Sequence, residues 1–244
     1  MNKEFHVLTT GSSLPFYSIS IIREFLKSGK FSVIPSDTGY ALTGLPFRLD
    51  AIKTICKILH HEHDPISLSF GSITLVERYV ELTARDYHVL DIHCPGPITL
   101  VCELNKKIPT EKREKISNLL HTNGTLGVRI SDSPVERQIS IELDSPITTC
   151  AIRDDGGNIV THFDDAIDIV KKGLKEIHEN CEFIAVRANK ILYTEQSTVL
   201  SIKKDLNFPY RVEVFRQGVV KSNELKHSLD LFNRIKNRDF DDFT

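Results

Sequence analysis

The chain has 244 residues, 40% apolar and 26% charged, and its 31 Lys and Arg against 33 Asp and Glu leave a formal charge of −2. That is a globular mixture able to bury a substantial core. It excludes attachment to nucleic acid by bulk charge alone, so any RNA contact must come from a local basic patch.

Hydrophobic period and punctuation then define the elements in chain order. Ser18 to Ser28 sets Ile19, Ile22, Phe25 and Leu26 on one helical face, with Gly29 as the stop. Phe31 to Ile34 reads as a short buried strand ended by Pro35. Asp50 can cap a helix whose inward stripe is Ile52, Ile55, Cys56 and Leu59, and Ile73 to Leu82 reads as another helix. Ile98 to Leu104 is β-prone and is entered through the stiff turn Cys94-Pro95-Gly96-Pro97. Leu126 to Ile130 is a strand. Ser133-Pro134-Val135-Glu136 combines a capping box with Pro at the first helical position, so a helix should reach Leu143. Pro146 to Ile152 reads as a strand, Asp154-Asp155-Gly156-Gly157-Asn158 as a turn, and Asp164 to Lys172 as a helix closed by Gly173. Three β-like runs follow: Phe183 to Val186, Thr198 to Ile202 and the alternating Arg211 to Phe215.

This pattern implies one α/β domain over residues 10–220 with a mixed sheet. Residues 221–244 form a C-terminal helical extension, in which Ser222 can cap a helix with Leu225, Leu229, Phe232 and Ile235 on one face. A single amphipathic stripe suits packing on the domain's own surface ahead of docking to a partner. No apolar run approaches the ~18 residues that span a bilayer, and the start MNKEFHVLTT lacks a signal peptide's apolar core. The scattered Cys56, Cys94, Cys102, Cys150 and Cys181 form no Cys-x-x-Cys pair and read as reduced thiols. A cytoplasmic protein without a membrane partner is expected.

Three places carry unusual chemistry. Pro35-Ser36-Asp37-Thr38-Gly39-Tyr40 packs two hydroxyls and a carboxylate into a turn just after a buried strand, where open α/β sheets place ligands. The same residues also suit a turn that satisfies its own backbone. Pro95-Gly96-Pro97-Ile98-Thr99 is a rigid bend running into a strand, suited to a structural corner or a ligand edge. Gly127-Val128-Arg129-Ile130-Ser131 sets an arginine inside an apolar strand. A buried arginine is costly unless paired, so Arg129 meets an acid such as Asp37 or Asp132, or an anionic ligand. His60-His61-Glu62-His63-Asp64 resembles a metal cluster only by composition, because adjacent helical histidines diverge and none is paired four residues on; a solvated helix end is expected and no metal site. Phosphate-loop, dinucleotide and nucleophile-elbow motifs are absent from the sequence.

In this order the motifs resemble the YrdC family of threonylcarbamoyl-AMP synthases, and most closely its divergent YciO branch. The family's Pro-Thr-Asp-Thr entry is matched by Pro35 to Gly44, its Pro-Gly-Pro-x-Thr by Pro95 to Thr99, and its Gly-Val-Arg-Val-Pro by Gly127 to Ser131. Ser197-Thr198-Val199 and Arg216-Gln217-Gly218 match its closing motifs, so the resemblance covers roughly residues 15–220. It implies a single domain with a twisted mixed sheet, flanking helices and a concave, positively charged face. Members condense L-threonine, bicarbonate and ATP, with Mg²⁺, into threonylcarbamoyl-AMP and pyrophosphate, feeding tRNA threonylcarbamoyladenosine. By that resemblance Thr38, Ser197 and Thr149 hold the threonine. Thr99, Arg216, Arg129, Cys150 and His60 lie at the nucleotide, with Arg129 on the pocket floor.

The departures matter equally. The family's Lys-x-Arg, counted back from Pro65, falls on Ile58 and His60, with Lys57 one residue off. Its Ser-Thr-Ser-Ala-Asn falls on Thr148-Thr149-Cys150-Ala151-Ile152, so cysteine replaces serine and isoleucine the asparagine. Losing one preorganised stabiliser of transition-state charge costs ~10²–10³ in rate in a measured case. Two expectations follow: a synthase-like enzyme, weak or shifted in substrate, or a nucleotide- or double-stranded RNA/tRNA-binding module without the synthesis, reading A-form shape and phosphates.

Overall fold

The computed structural model describes residues 6–10, 13–60, 65–111, 124–179, 181–203 and 210–241. The first half holds β1 (His6–Thr10), α1 (Phe16–Lys27), β2 (Ser32–Pro35), β3 (Tyr40–Thr43), α2 (Leu49–Leu59), β4 (Leu68–Ser69), α3 (Ile73–Val76), β5 (Val80–Glu81), α4 (Ala84–His93) and β6 (Ile98–Leu104). The second holds β7 (Thr125–Arg129), α5 (Pro134–Leu143), β8 (Ile147–Thr148), β9 (Cys150–Ala151), α6 (Phe163–Glu176), β10 (Ile184–Ala188), β11 (Thr198–Lys203), β12 (Arg211–Arg216) and α7 (Ser222–Asp241).

The strands divide between two mixed sheets. One has five strands in the order β1-β10-β2-β3-β9; the other runs β12-β11-β6-β7-β4-β8, with β5 on the flank of β6. Period-two alternation in the five-stranded sheet feeds two cores. Val33 and Ala185 enter the main one, while Ile34, Ile184 and Val186 enter a second under α1 and α5. Strands covered on both faces read as unbroken apolar runs, which is why β2 and β10 were legible from the sequence, whereas β1 and β3 were not read as strands.

The strand read over Pro146 to Ile152 is two strands. Thr148 pairs with Leu68 in the larger sheet, and Cys150 pairs with Leu42 in the smaller one, so the chain crosses between sheets at Thr149. The helix read over Ile73 to Leu82 stops at Val76, capped by Ser72, and Val80 instead pairs with Leu104. A short apolar run fits either state by period alone, and here pairing to a sheet decides. Arg48, not Asp50, occupies the N-cap of α2, with Asp50 inside the first turn.

Gly173 does not close α6, which continues to Glu176. It is buried against α2, where an added Cβ would stand 2.9 Å from the Ile58 carbonyl, so the glycine serves a close backbone approach. Gly29, by contrast, takes φ +83° directly after α1 and acts as the expected stop. Ser133 does not cap α5 with its side chain; its hydroxyl donates to the Pro35 carbonyl at 2.7 Å, tying α5 to the end of β2. Along α7, Leu225 and Leu229 are fully buried in the main core and Phe232 lies against the His88 ring, centroids 4.6 Å apart. The extension therefore packs on its own domain. The His61 to Asp64 cluster and the Ile235 side chain lie outside the described residues. No described helix is long and apolar enough to cross a membrane.

Candidate active site

Alternation in the larger sheet sends one face to the core and the other to a cavity of about 580 Å³. On β6, Ile98 and Leu100 are fully buried while Thr99 and Val101 line the cavity; on β7, Leu126 and Val128 are buried while Thr125, Gly127 and Arg129 line it. The smaller sheet supplies the opposite wall through the β2–β3 turn, with Ser36 and Thr38, and through the crossing at Thr149 and Cys150. Ser197, just ahead of β11, and Arg216, at the end of β12, complete it.

The structure thus brings Thr38, Thr99, Arg129, Thr149, Cys150, Ser197 and Arg216 to one cavity. The Thr99 and Ser197 hydroxyls are 3.1 Å apart, and Arg216 donates from Nε to the Ser197 carbonyl at 3.1 Å and from Nη2 to its hydroxyl at 2.9 Å. The Thr149 hydroxyl is buried with no partner among the described residues. Burial pushes the Cys150 thiol far up, so it stays neutral and is not an activated nucleophile.

His60 does not join them. It ends α2 in a left-handed conformation, its ring 76% exposed and 3.6 Å from Glu176. Ile58 and Ile152 are buried in the main core, and Lys57 is exposed on α2. A helix end that turns outward cannot deliver adjacent residues to the sheet face beside it.

No aspartate, glutamate or histidine lines the cavity among the described residues, whereas Arg129, Arg153 and Arg216 do. Arg129 is neutralised from behind. It pairs with Asp37, and Glu136 stands 4.0 Å away. Burial opposes ionisation of Asp37, but the Arg129 charge, the Asp132 N–H at 3.0 Å and the Ser36 hydroxyl outweigh it and hold its pKa below the usual range. Burial pushes Glu136 up to about 7, against the Arg129 charge and reinforced by Asp37. Of the partners open to Arg129, Asp37 takes it; Asp132 lies 3.7 Å from Arg137.

Among the described residues, Arg216 has no such partner. Burial lowers its pKa to about 10, with Arg153 and Arg129 adding to the effect, so it is still cationic at neutral pH. Arg153 donates to the Gly157 carbonyl at 3.1 Å and the Gln196 side-chain carbonyl at 2.8 Å. Sequence reasoning missed Arg153 because an arginine beside a polar turn looks like an ordinary surface residue. It also missed Phe215. A register shift between β11 and β12 pairs Val199 with Arg216 and Leu200 with Val214, leaving Phe215 as the extra residue, so two consecutive side chains reach the cavity.

A family model described as "Telomere recombination" and named for Sua5, YciO and YrdC matches residues 24–218. The chain belongs to this family. A Methanocaldococcus jannaschii protein provisionally named as a threonylcarbamoyl-AMP synthase is 24% identical over 209 residues, 84% of this chain and 89% of that protein. Among solved structures, P. abyssi Sua5 in complex with L-threonine superposes with a TM-score of 0.72 at 17% identity, over 91% of this chain. This chain spans 60% of that Sua5 chain. E. coli YciO superposes at 0.71 with 19% identity, over 89% of this chain and 98% of YciO. At such identities the superpositions establish the Sua5/YciO fold, a mixed α/β single domain, and the motif residues assemble on it around one cavity.

Proposed function

We propose that the chain is a threonylcarbamoyl-AMP synthase-like enzyme whose cavity takes L-threonine beside ATP. One observation carries this reading: the hydroxyls of Thr38, Thr99, Thr149 and Ser197 line one cavity with the Arg216 guanidinium, and no acid is among its described lining residues. Such a lining suits an anionic substrate with neighbouring hydroxyl and carboxylate groups. The provisional name of the Methanocaldococcus relative and the L-threonine complex of Sua5 support the same reading.

In the reaction, the threonine amine and bicarbonate form a carbamate with loss of water. A carbamate oxygen then bonds to the α-phosphorus of ATP, and the bond to the leaving pyrophosphate breaks. The chain's part is positioning and charge stabilisation. Arg216, held by Ser197, faces negative charge on the phosphates, and the hydroxyls orient the amino acid. Magnesium prefers carboxylates and waters. The carboxylates of Asp37 and Glu136 are fully buried and turned to Arg129, and no group of three or more potential ligands converges among the described residues. The described residues therefore do not fit a resident magnesium site, and the ion belongs to the incoming ATP as part of the substrate.

With Ile58 and Ile152 in the core, two positions where the family carries polar groups contribute nothing to the cavity, which supports a slow enzyme. Incubation of the full chain at high concentration with ATP, Mg²⁺, bicarbonate and L-threonine should release pyrophosphate only when all are present, with threonylcarbamoyl-AMP seen by mass spectrometry. Nucleotide binding without that product would overturn the synthase and leave a binding module.

A further inference from the structure

We propose that Arg153 and Arg216 form a two-armed clamp for the phosphate chain of a nucleotide, with Arg153 as an arm contributed from the opposite sheet. This rests on the nucleotide-binding part of the reading above. It adds a residue that none of the five motifs contains.

Both guanidinium groups line the same cavity, and among the described residues neither has a carboxylate partner. Each engages two neutral acceptors out of the five N–H donors that an arginine carries. The remaining donors are available to a ligand. Arg129 is the internal control: its charge is absorbed by Asp37 and Glu136, so it does not attract an anion in the same way.

The two arms approach from different elements. Arg153 follows β9 of the five-stranded sheet, and Arg216 ends β12 of the other. They are tied to adjacent residues of one segment: Arg153 to the side chain of Gln196, and Arg216 to the carbonyl and hydroxyl of Ser197. They also feel each other, since the Arg153 charge helps hold the Arg216 pKa down. Two like charges set this close beside an acid-free wall are relieved when an anion enters between them. A single carboxylate would neutralise one guanidinium. Two forks call for at least two negative charges spread over separate anionic groups, and the linked phosphates of a di- or triphosphate offer one to each arm.

The test is calorimetric titration of the full chain with inorganic pyrophosphate, ATP, AMP, adenosine and L-threonine at low salt. The wild type should bind ATP and pyrophosphate more tightly than AMP, and adenosine most weakly. Arg153→Gln should weaken ATP and pyrophosphate by about tenfold, the loss expected for a charged hydrogen-bonding partner, while adenosine and L-threonine binding hold. Arg153→Lys, which keeps the charge but not the fork, should fall between. Lys172→Gln, which removes an exposed lysine paired with Asp155, should change nothing. Unchanged pyrophosphate affinity in Arg153→Gln overturns the clamp, as does an equal loss for adenosine and L-threonine, which would mark a collapsed cavity. The two readings separate cleanly. An Arg153→Gln enzyme that makes threonylcarbamoyl-AMP with an unaltered KM for ATP refutes the clamp and keeps the synthase. Arg153-dependent pyrophosphate binding in a chain that never makes the product does the reverse.

Discussion

Arg129 and Arg216 reach one cavity from strands of the same sheet, yet their surroundings differ in kind. Arg129 is backed by two buried carboxylates, Asp37 and Glu136, so its charge is spent inside the fold. Among the described residues, Arg216 is held by the carbonyl and hydroxyl of Ser197 and by no carboxylate. The difference teaches that a guanidinium facing a pocket is structural or ligand-directed according to what already neutralises it.

The sharpest way to break this comparison is Arg129→Met. It strands Asp37 as an unpaired buried carboxylate and should cost about 3–5 kcal/mol in denaturant unfolding, with part recovered by adding Asp37→Asn. If Arg129→Met instead left stability intact and lowered only ligand affinity, Arg129 would belong with Arg216.

Glu136→Gln tests the other half of the buried cluster. A carboxyl whose folded pKa is raised from 4.5 to about 7 stabilises the fold fully below 4.5, and that contribution is lost as pH rises to about 7. The wild type should therefore lose on the order of 3 kcal/mol relative to Glu136→Gln across that window. Unfolding free energies measured from pH 4 to 8 read this directly; parallel curves for the two proteins would mean that Glu136 titrates normally.

Arg216→Gln should act on binding more than on folding. Nucleotide affinity should fall by about 1.5–3 kcal/mol, the range for hydrogen bonds to a charged group, while the unfolding midpoint holds. A stability loss as large as that of Arg129→Met would erase the distinction between the two arginines.

The smallest effect is expected at Thr149. Its hydroxyl has no partner among the described residues, so the near-isosteric Thr149→Val should change stability by less than about 1 kcal/mol. Titration with L-threonine should still show weaker binding if that hydroxyl faces the amino acid.

Much of the fold was legible because its signals are local. The β-prone run from Ile98 to Leu104 matches β6 residue for residue, and Pro134 opens α5 as its position predicts. Capping residues misled where another part of the chain claimed them: Ser133 serves Pro35, and Glu136 serves the Arg129 cluster rather than its own helix end. The candidate site was legible through motif order, apart from His60, which local counting placed at the nucleotide and the outward end of α2 removes.

By itself the sequence determined the family, many of the buried strands and amphipathic helices, and seven of the polar and charged residues that meet at the cavity. These depend on residue type and short-range period, which survive without knowing any distant neighbour. Only the tertiary structure decided which arginine is neutralised and that Arg153 faces the cavity at all. Arg129 and Asp37 lie 92 positions apart, and the chain changes sheets at Thr149. Charge compensation and cavity shape are set by where distant segments pack, and no local pattern encodes that.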